Sequence, residues 1–374
     1  MSVTINLTST LPITSAPTPV PDPQLYEEKT LQGGRKVWVS APQPDKLVIA
    51  IPISPYVYAD YISPKVSVAE FRKKFGDALE AMDFMIAEHV SPPVYHKISG
   101  DWLKAQLAFG AREARVHFKY ETYYGGSIRV HMNPRKLGKD GFKKLRSFLS
   151  QLFNVPNLLK AASIKQLDIA VDCVGLKADE VIVWHKKQCM RTMYIGPGGS
   201  LETLNIHRKP RKTKQPKDPH GIEKPKLPKK RAGAVLVSIY DRVRYAERLG
   251  KEPPFGPASV TRIELARDYF KKTRLADLPD LKDLLVELRA GYTGSQVKWE
   301  QAKWRSYMAA CRSVSQDAGA AMLKLSYGTA AAFKEALLVP NPNLVKPTET
   351  WKRWHLGLAE TGILQLLAND GPTA

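Results

Sequence analysis

The stretch SIKQLDIAVDCVG, residues 163–175, alternates apolar and polar side chains with the period of two that an extended chain imposes. Ile169 and Val171 would lie on one face of such a strand, and Asp168 and Asp172 on the other. Two carboxylates on one face repel each other unless a positive group or solvent lies beside them. The segment therefore predicts a strand whose polar face meets a lysine or arginine, water or a metal ion.

Similar alternation recurs along the chain, in segments joined mostly by short connections. After the first strand come VIVWHKKQCMRTMYIG (181–196), LETLNIHR (201–208), AVLVSIYD (234–241) and SVTRIELARDYF (259–270). Before it come DKLVIAIPIS (45–54) and two segments around a Gly-Gly turn, ARVHFKYETYY (114–124) and GGSIRVHMNP (125–134). Consecutive strands with short connections favour an antiparallel meander.

Helical spacing of apolar residues separates these strands. Ser67–Val90 is a predicted helix, and DGFKKLRSFLSQLF (140–153) is another, with Asp140 as its N-cap. Beyond residue 275 the helical patterns are LPDLKDLLVELRAGY (278–292), WEQAKWRSYMAACRSV (299–314) and GTAAAFKEALLV (328–339). We therefore expect an α+β fold, an antiparallel sheet meander with flanking helices plus a small helical C-terminal region.

The domain boundaries follow from changes in composition. Residues 1–44 are rich in Pro, Ser and Thr, which predicts a flexible arm. Residues 45–274 would form an α+β domain, and residues 275–374 the helical C-terminal region.

The charge of the chain points to a polyanionic partner. Lys and Arg number 57 against 36 Asp and Glu, a formal net charge of +21, and nucleic acid is the usual partner of such an excess. Lys209–Arg231 alone holds ten basic residues, two acids and five prolines, so it cannot continue as a helix or an inner strand. We expect a solvated loop, inserted at 208–231 between two paired strands.

This insertion is the predicted contact with the phosphate backbone of DNA. The alternative is an unstructured insertion whose charge merely keeps the chain in solution. The predicted DNA-binding residues are Arg208, Lys209, Arg211, Lys212, Lys214, Lys229, Lys230 and Arg231.

A third carboxylate is expected near the first strand. In SVTRIELARD, Arg262 and Glu264 share one strand face. If this strand lies near Asp168 and Asp172, three carboxylates gather on one surface, and Mg²⁺ and Mn²⁺ prefer such oxygen ligands. The alternative is a charged, solvated sheet face on which Arg262 neutralises the acids.

Histidine and tyrosine provide the remaining candidates. No two of the eight histidines are separated by one residue, so the His-hydrophobe-His metal motif of many DNA-nicking enzymes is absent, although His117 and His131 could meet across the Gly-Gly turn. Tyr194 in RTMYIGPGG and Tyr240 in VSIYDR are candidate covalent nucleophiles. The alternative for each tyrosine is core packing with a satisfied hydroxyl.

The order of these motifs resembles the replication initiation factor family of rolling-circle plasmids and filamentous phages. It runs from the Gly-Gly turn through LDIAVD, TMYIG, SIYDR with a nearby Glu247, and TRIELARD, over roughly residues 90–270. Three positions depart from the family pattern: Gln166 for arginine, Pro197 for serine and Arg242 for lysine.

The resemblance implies an endonuclease that nicks and rejoins one strand at a replication origin. Tyr194 would be the nucleophile, with Tyr240 of the Tyr240-Asp241 pair in reserve. Arg262 would neutralise charge that develops on the phosphate. The implied metal ligands for Mg²⁺ or Mn²⁺ are Asp168, Asp172 and Glu264.

The implied partner is origin DNA, double- and single-stranded, with a host helicase and a second copy of the chain as further candidates. Cys173, Cys189 and Cys311 lack metal-type spacing, and the chain shows neither a secretion signal nor a bilayer-length apolar run, which favours a cytoplasmic protein and no membrane partner. The rival functions are a non-enzymatic, sequence-specific DNA-binding regulator of a phage or plasmid, and a structural or packaging protein with a basic tail.

Overall fold

The computed structural model describes the larger part of the chain. The described residues are 21–31, 34–52, 74, 104–108, 115–121, 127–185, 189–195, 201–208, 235–256, 258–267, 270, 273–292, 303, 306–307, 310, 320–338 and 343–368. Some of these residues, among them 189–195, are described by their backbone alone.

The described residues contain fourteen strands. In chain order they are β1 (Tyr26–Thr30), β2 (Lys36–Ser40), β3 (Gln43–Pro52), β4 (Lys104–Ala108), β5 (Arg115–Glu121), β6 (Ser127–Met132), β7 (Ser163–Val174), β8 (Val181–His185), β9 (Cys189–Ile195), β10 (Leu201–Arg208), β11 (Val235–Asp241), β12 (Val260–Arg267), β13 (Leu288–Tyr292) and β14 (Asn343–Val345).

Eleven of these strands form one sheet, with the order β4-β5-β6-β3-β7-β12-β11-β10-β9 and with β2 pairing β1 and the end of β7. Its pairs are antiparallel, and β9 to β12 are the predicted meander. The segment 181–196 does not form one strand, because β8 leaves this sheet and pairs with β13 in a second sheet of order β14-β13-β8.

Six α-helices accompany the sheets in the described residues. They are α1 (Pro134–Ser150), α2 (Val155–Ala161), α3 (Arg242–Arg248), α4 (Tyr327–Leu338), α5 (Trp354–Thr361) and α6 (Leu364–Leu367). Short 3-10 helices lie at Ala178–Glu180, Leu275–Asp277 and Trp351–Arg353. The predicted α+β class, with helices in the C-terminal region, is confirmed.

Helix α1 begins earlier than the sequence pattern predicts. Asn133 caps it by accepting the backbone N–H of Lys136 at 3.1 Å, and Pro134 occupies the first turn. The predicted N-cap, Asp140, is therefore wrong. Gly138 interrupts the helix with a φ of 61°, a conformation that glycine adopts without strain.

The apolar face of the large sheet is covered in two halves. Over one half, Phe142 and Phe148 of α1 and Trp354 of α5 pack in one core with Leu167 and Ile169 of β7.

Over the other half, the second sheet contributes Val183 and Leu288 to a core that contains Val171, Cys173 and Ile263. Since both cores lie on the apolar face of β7, its opposite, polar face is left to form a site.

The two chain ends differ from the prediction of an arm and a separate helical region. Strands β1 and β2 join the large sheet, so the arm prediction is wrong for Tyr26–Ser40, and residues 1–20 lie outside the described part. The predicted helix over 278–292 contains strand β13 instead, whereas α4 confirms the helix predicted over 328–339.

Three further predictions fall largely or wholly on residues that are not described. They are the helix Ser67–Val90, the helix over 299–314 and the Gly-Gly turn. The strands on both sides of that turn, β5 and β6, do pair, with His117 opposite His131. Among the described helices, none has the length and apolar content needed to cross a membrane.

Candidate active site on the polar face of the sheet

The strand register brings five distant residues into one row across the polar face. From β7 to β9 the row runs Asp172, Arg262, Tyr240, Thr203 and Tyr194. Directly opposed residues in antiparallel strands share a sheet face. The register position of Tyr194 is therefore on the face that carries Tyr240, although its side chain lies outside the described part.

Glu264 lies in the neighbouring row. It is opposite Ala170, the residue that separates Asp168 from Asp172 on β7. The three predicted carboxylates are thus on one face of two adjacent strands, as the alternation predicts.

The carboxylate of Asp172 binds three arginine side chains. Its side chain is only 1% exposed, and it accepts four hydrogen bonds: from Nε and Nη2 of Arg262 at 2.8 and 3.0 Å, and from Nη1 of Arg242 and of Arg135 at 2.8 and 3.1 Å. A carboxylate has about four lone-pair positions for such bonds. We therefore assign Asp172 to an arginine cluster rather than to the predicted metal site.

The guanidinium of Arg262 donates all its described hydrogen bonds to carboxylates. Besides its bonds to Asp172, its Nη1 donates to Oδ1 of Asp45 at 2.8 Å, and the side chain is buried. Burial raises the pKa of the Asp45 carboxyl. Since all three guanidinium nitrogens of Arg262 already donate to carboxylates, these contacts do not support its predicted role on the substrate phosphate.

Tyr240 and Glu264 form a hydrogen-bonded pair at the centre of this face. The Tyr240 hydroxyl donates to Oε2 of Glu264 at 3.2 Å. Burial, together with the negative charges of Asp45 and Asp168, raises the pKa of Glu264 to about 7. Burial, and then the charge of Glu264, also raises the pKa of Tyr240. The raised pKa of Tyr240 keeps its phenol protonated at neutral pH, so Glu264 can take that proton only as the tyrosine oxygen forms a new bond.

Asp168 completes the carboxylate group. It is buried, and Nε2 of Gln166 donates to both of its oxygens at 3.0 and 3.2 Å. The partner of Asp168 on its own strand is therefore an uncharged amide.

The fit of a divalent metal ion depends on Asp168 and Glu264. Within the described part of the chain, no three His, Cys, Asp or Glu side chains are grouped closely enough to hold a metal ion together. Mg²⁺ is commonly held by one or two carboxylates while substrate phosphates and water supply its other ligands. Asp168 and Glu264 fit that pattern, whereas His117 and His131 lie on β5 and β6, separated from β7 by β3.

Sequence reasoning missed several residues at this face. Asp45 was expected only as the start of a strand, and Arg135 was not singled out. Gln43 is 1% exposed and opposite Ala170, and its side-chain amide finds no partner among the described residues. None of these residues carries a local signal, since the place of Asp45 and Gln43 depends on the pairing of β3 with β7 and that of Arg135 on the packing of α1.

Helix α3 borders the row beside Tyr240. Asp241 is its N-cap and accepts the backbone N–H groups of Val243 and Arg244 at 2.9 and 3.2 Å. The ring of Tyr245 lies 5.6 Å from the ring of Tyr240, tilted by 55°. The Tyr-Asp pair of the motif therefore combines a site residue with a helix cap.

The two strands that flank the basic insertion are described, and Arg208, predicted as part of the insertion, belongs to the first of them. Strand β10 ends at Arg208, β11 begins at Val235, and the two strands pair. The seven other predicted DNA-binding residues, from Lys209 to Arg231, lie outside the described residues.

Comparisons with known proteins do not assign the chain to a family. No protein-family model matches the chain, and no curated protein matches it.

Proposed function

We propose that the protein nicks and rejoins one DNA strand through a tyrosine nucleophile and thereby initiates rolling-circle replication of a small plasmid or phage genome. Its substrate is origin DNA, which it meets as duplex and as single strand in the cytoplasm. The proposal also takes a host helicase and a second copy of the chain as candidate partners.

The observation that carries this proposal is the hydrogen bond from Tyr240 to Glu264. A phenol is a weak nucleophile at neutral pH and needs a base beside it. Oε2 of Glu264 lies 3.2 Å from the phenolic oxygen, within reach of the proton that this task requires it to take. A protein that only binds DNA gains nothing from a carboxylate group facing the phosphates.

The reaction exchanges one phosphodiester for another. The tyrosine oxygen forms a bond to phosphorus while the bond to the leaving sugar oxygen breaks. Glu264 takes the phenolic proton, and the leaving oxygen takes a proton from water. The products are a phosphotyrosyl link and a free hydroxyl, and the reverse reaction rejoins the strand. Asp168 and Glu264 would hold Mg²⁺ or Mn²⁺, which when bound would polarise the scissile phosphate.

Two tyrosines are candidates for the nucleophile. The contacts support Tyr240, while the motif order supports Tyr194, whose position in the row is two strand spacings, roughly 10 Å, away. A single experiment distinguishes them.

The test incubates the purified chain with supercoiled DNA that carries the origin of its own replicon, in Mn²⁺ or in EDTA. Tyr240→Phe and Tyr194→Phe are compared with Tyr327→Phe, a control at an exposed tyrosine of α4. We expect metal-dependent relaxation and a covalent protein–DNA adduct, and loss of both in one tyrosine variant but not in the control.

Glu264→Gln separates the proposed chemistry from the rival function. It should keep origin binding and lose relaxation, because the amide still accepts a hydrogen bond but cannot take a proton. Origin binding without relaxation by the unmodified chain would instead favour the regulator, and relaxation that survives in both tyrosine variants would exclude these nucleophiles.

A further inference from the structure

We infer that Tyr245 and Arg242 of α3, with Arg135 of α1, form a subsite for one nucleotide of single-stranded DNA beside Tyr240. The base would stack on the Tyr245 ring, and its phosphate would contact the two arginines. This inference rests on the proposed function, because it takes DNA as the substrate.

Tyr245 is an aromatic side chain that is not packed in the hydrophobic core. It is 49% exposed, and α3 contains no buried residue. Its ring leans on the ring of Tyr240 at 5.6 Å between centroids. A base placed on Tyr245 would therefore lie next to the hydroxyl that contacts Glu264.

The two arginines of the proposed subsite have N–H donors to spare. Arg242 and Arg135 are 21% and 24% exposed, and each donates one hydrogen bond within the described residues, from Nη1 to Asp172. A guanidinium carries five N–H donors. Both groups can thus hold Asp172 and still bind a phosphate.

The charge of the cluster favours an anion. Arg135, Arg242 and Arg262 face the carboxylates of Asp172 and Asp45, so these five side chains together carry one positive charge. Asp168 and Glu264 lie in neighbouring rows. By contrast, two other arginines of α3, Arg244 and Arg248, lie 3.4 and 3.6 Å from the carboxylate of Glu202.

The spacing of residues on α3 brings the base-stacking ring and the phosphate-binding arginine together. Residues three apart on a helix are surface neighbours, about 5–6 Å between Cβ atoms, so Arg242 and Tyr245 present a cation and an aromatic ring on one side of the helix. Stacking on an aromatic ring accepts any base, but it needs a base that is not already stacked in a duplex. The expected ligand is therefore single-stranded, with little sequence preference at this position.

The test measures equilibrium binding by fluorescence anisotropy in EDTA, where no metal-dependent cleavage occurs. The probe is a labelled single strand of mixed sequence, about 12 nucleotides long. We expect Tyr245→Leu to weaken binding roughly 5- to 150-fold, the effect of losing one stacked base, while Tyr245→Phe binds like the unmodified chain. Tyr327→Leu is the control at an exposed tyrosine remote in sequence.

Two further measurements separate stacking from phosphate contact. A blunt duplex of the same sequence should bind Tyr245→Leu and the unmodified chain equally. Arg242→Gln should lower the slope of log affinity against log salt by about 0.7, the value for one phosphate contact on a single strand. Asp172 keeps Arg262 and Arg135 in this variant, so the cluster is retained.

Equal binding of the single strand by Tyr245→Leu and the unmodified chain would overturn the inference, as would an unmodified chain that does not bind single strands. The result is independent of nicking. If no tyrosine variant affects DNA relaxation but Tyr245→Leu still loses single-strand binding, the proposed chemistry fails and the subsite stands.

Discussion

Arg262 donates from Nε and Nη2 to the two carboxylate oxygens of Asp172, at 2.8 and 3.0 Å. The two residues face each other on adjacent strands, and both are buried. Paired hydrogen bonds of this kind are among the stronger polar contacts in proteins. This pair and the flanking arginines neutralise Asp172, which explains why its carboxylate can share a strand face with that of Asp168.

Removing the carboxylate of Asp172 should destabilise the fold severely. Asp172→Asn leaves three guanidinium groups around an uncharged amide, and breaking a buried ion pair on one side typically costs about 3–5 kcal/mol. The free energy of unfolding from urea denaturation measures this. Glu28→Gln is the matched control, because Glu28 pairs with Lys36 at the surface and should cost less than about 1 kcal/mol. Equal costs for the two variants would show that the cluster does not stabilise the chain.

Glu264 should make the stability of the metal-free chain depend on pH. Its pKa is raised by burial from 4.5 to about 7, so the folded state binds more protons than the unfolded state between these values. The contribution of Glu264 to the free energy of unfolding is fully present below about pH 4.5 and is lost as the pH rises through 7. Glu264→Gln should therefore be more stable than the unmodified chain at pH 8, by up to about 3 kcal/mol, and similar to it at pH 4.

Urea denaturation in EDTA at the two pH values checks this. A difference between the variants that is the same at both pH values would mean that Glu264 titrates normally.

The sequence predicts strand faces well because they depend on a local period. Asp168, Asp172 and Glu264 were placed on one face from alternation alone, and β7 and β12 pair to bring them together. The arginines that bind Asp172 could not be predicted from alternation. Arg135 and Arg242 belong to helices, and no local sequence pattern encodes how those helices pack. Asp45 lies at a register irregularity between β3 and β7, where simple alternation fails.

Long-range contacts also explain the errors at the chain ends. The Pro-rich start was expected to be flexible, but β1 and β2 are held from the far end of the chain, where Arg353 donates to the carbonyls of Leu25 and Val39 at 2.6 and 3.2 Å. Leu285 and Leu288 have the spacing of a helix, yet they are buried in the core formed with the second sheet. In both cases tertiary contacts override the local preference.

Asp241 should act as a helix cap rather than in chemistry. It accepts the Val243 and Arg244 N–H groups at the start of α3, so Asp241→Ala should cost about 1 kcal/mol of stability. Asp241→Asn keeps an acceptor and should retain both stability and DNA relaxation. Asp280→Ala, at an exposed position, is the control and should change stability by less than about 0.5 kcal/mol. Loss of relaxation in a fully stable Asp241→Asn variant would instead make the charge of Asp241 part of the reaction.

Gly357 of α5 should not tolerate even a methyl side chain. A Cβ at this position of α5 would lie 1.8 Å from the carbonyl oxygen of Pro42, a backbone atom that cannot rotate away. Gly357→Ala should therefore push α5 off the start of β3 and cost at least about 1–3 kcal/mol, the usual range for overpacking. Gly328→Ala in α4 is the matched control, since nothing lies within 4 Å of its Cβ, and it should be neutral or stabilise by up to about 1 kcal/mol. Thermal denaturation of the two variants checks this, and equal melting temperatures would show that α5 does not pack against Pro42 in solution.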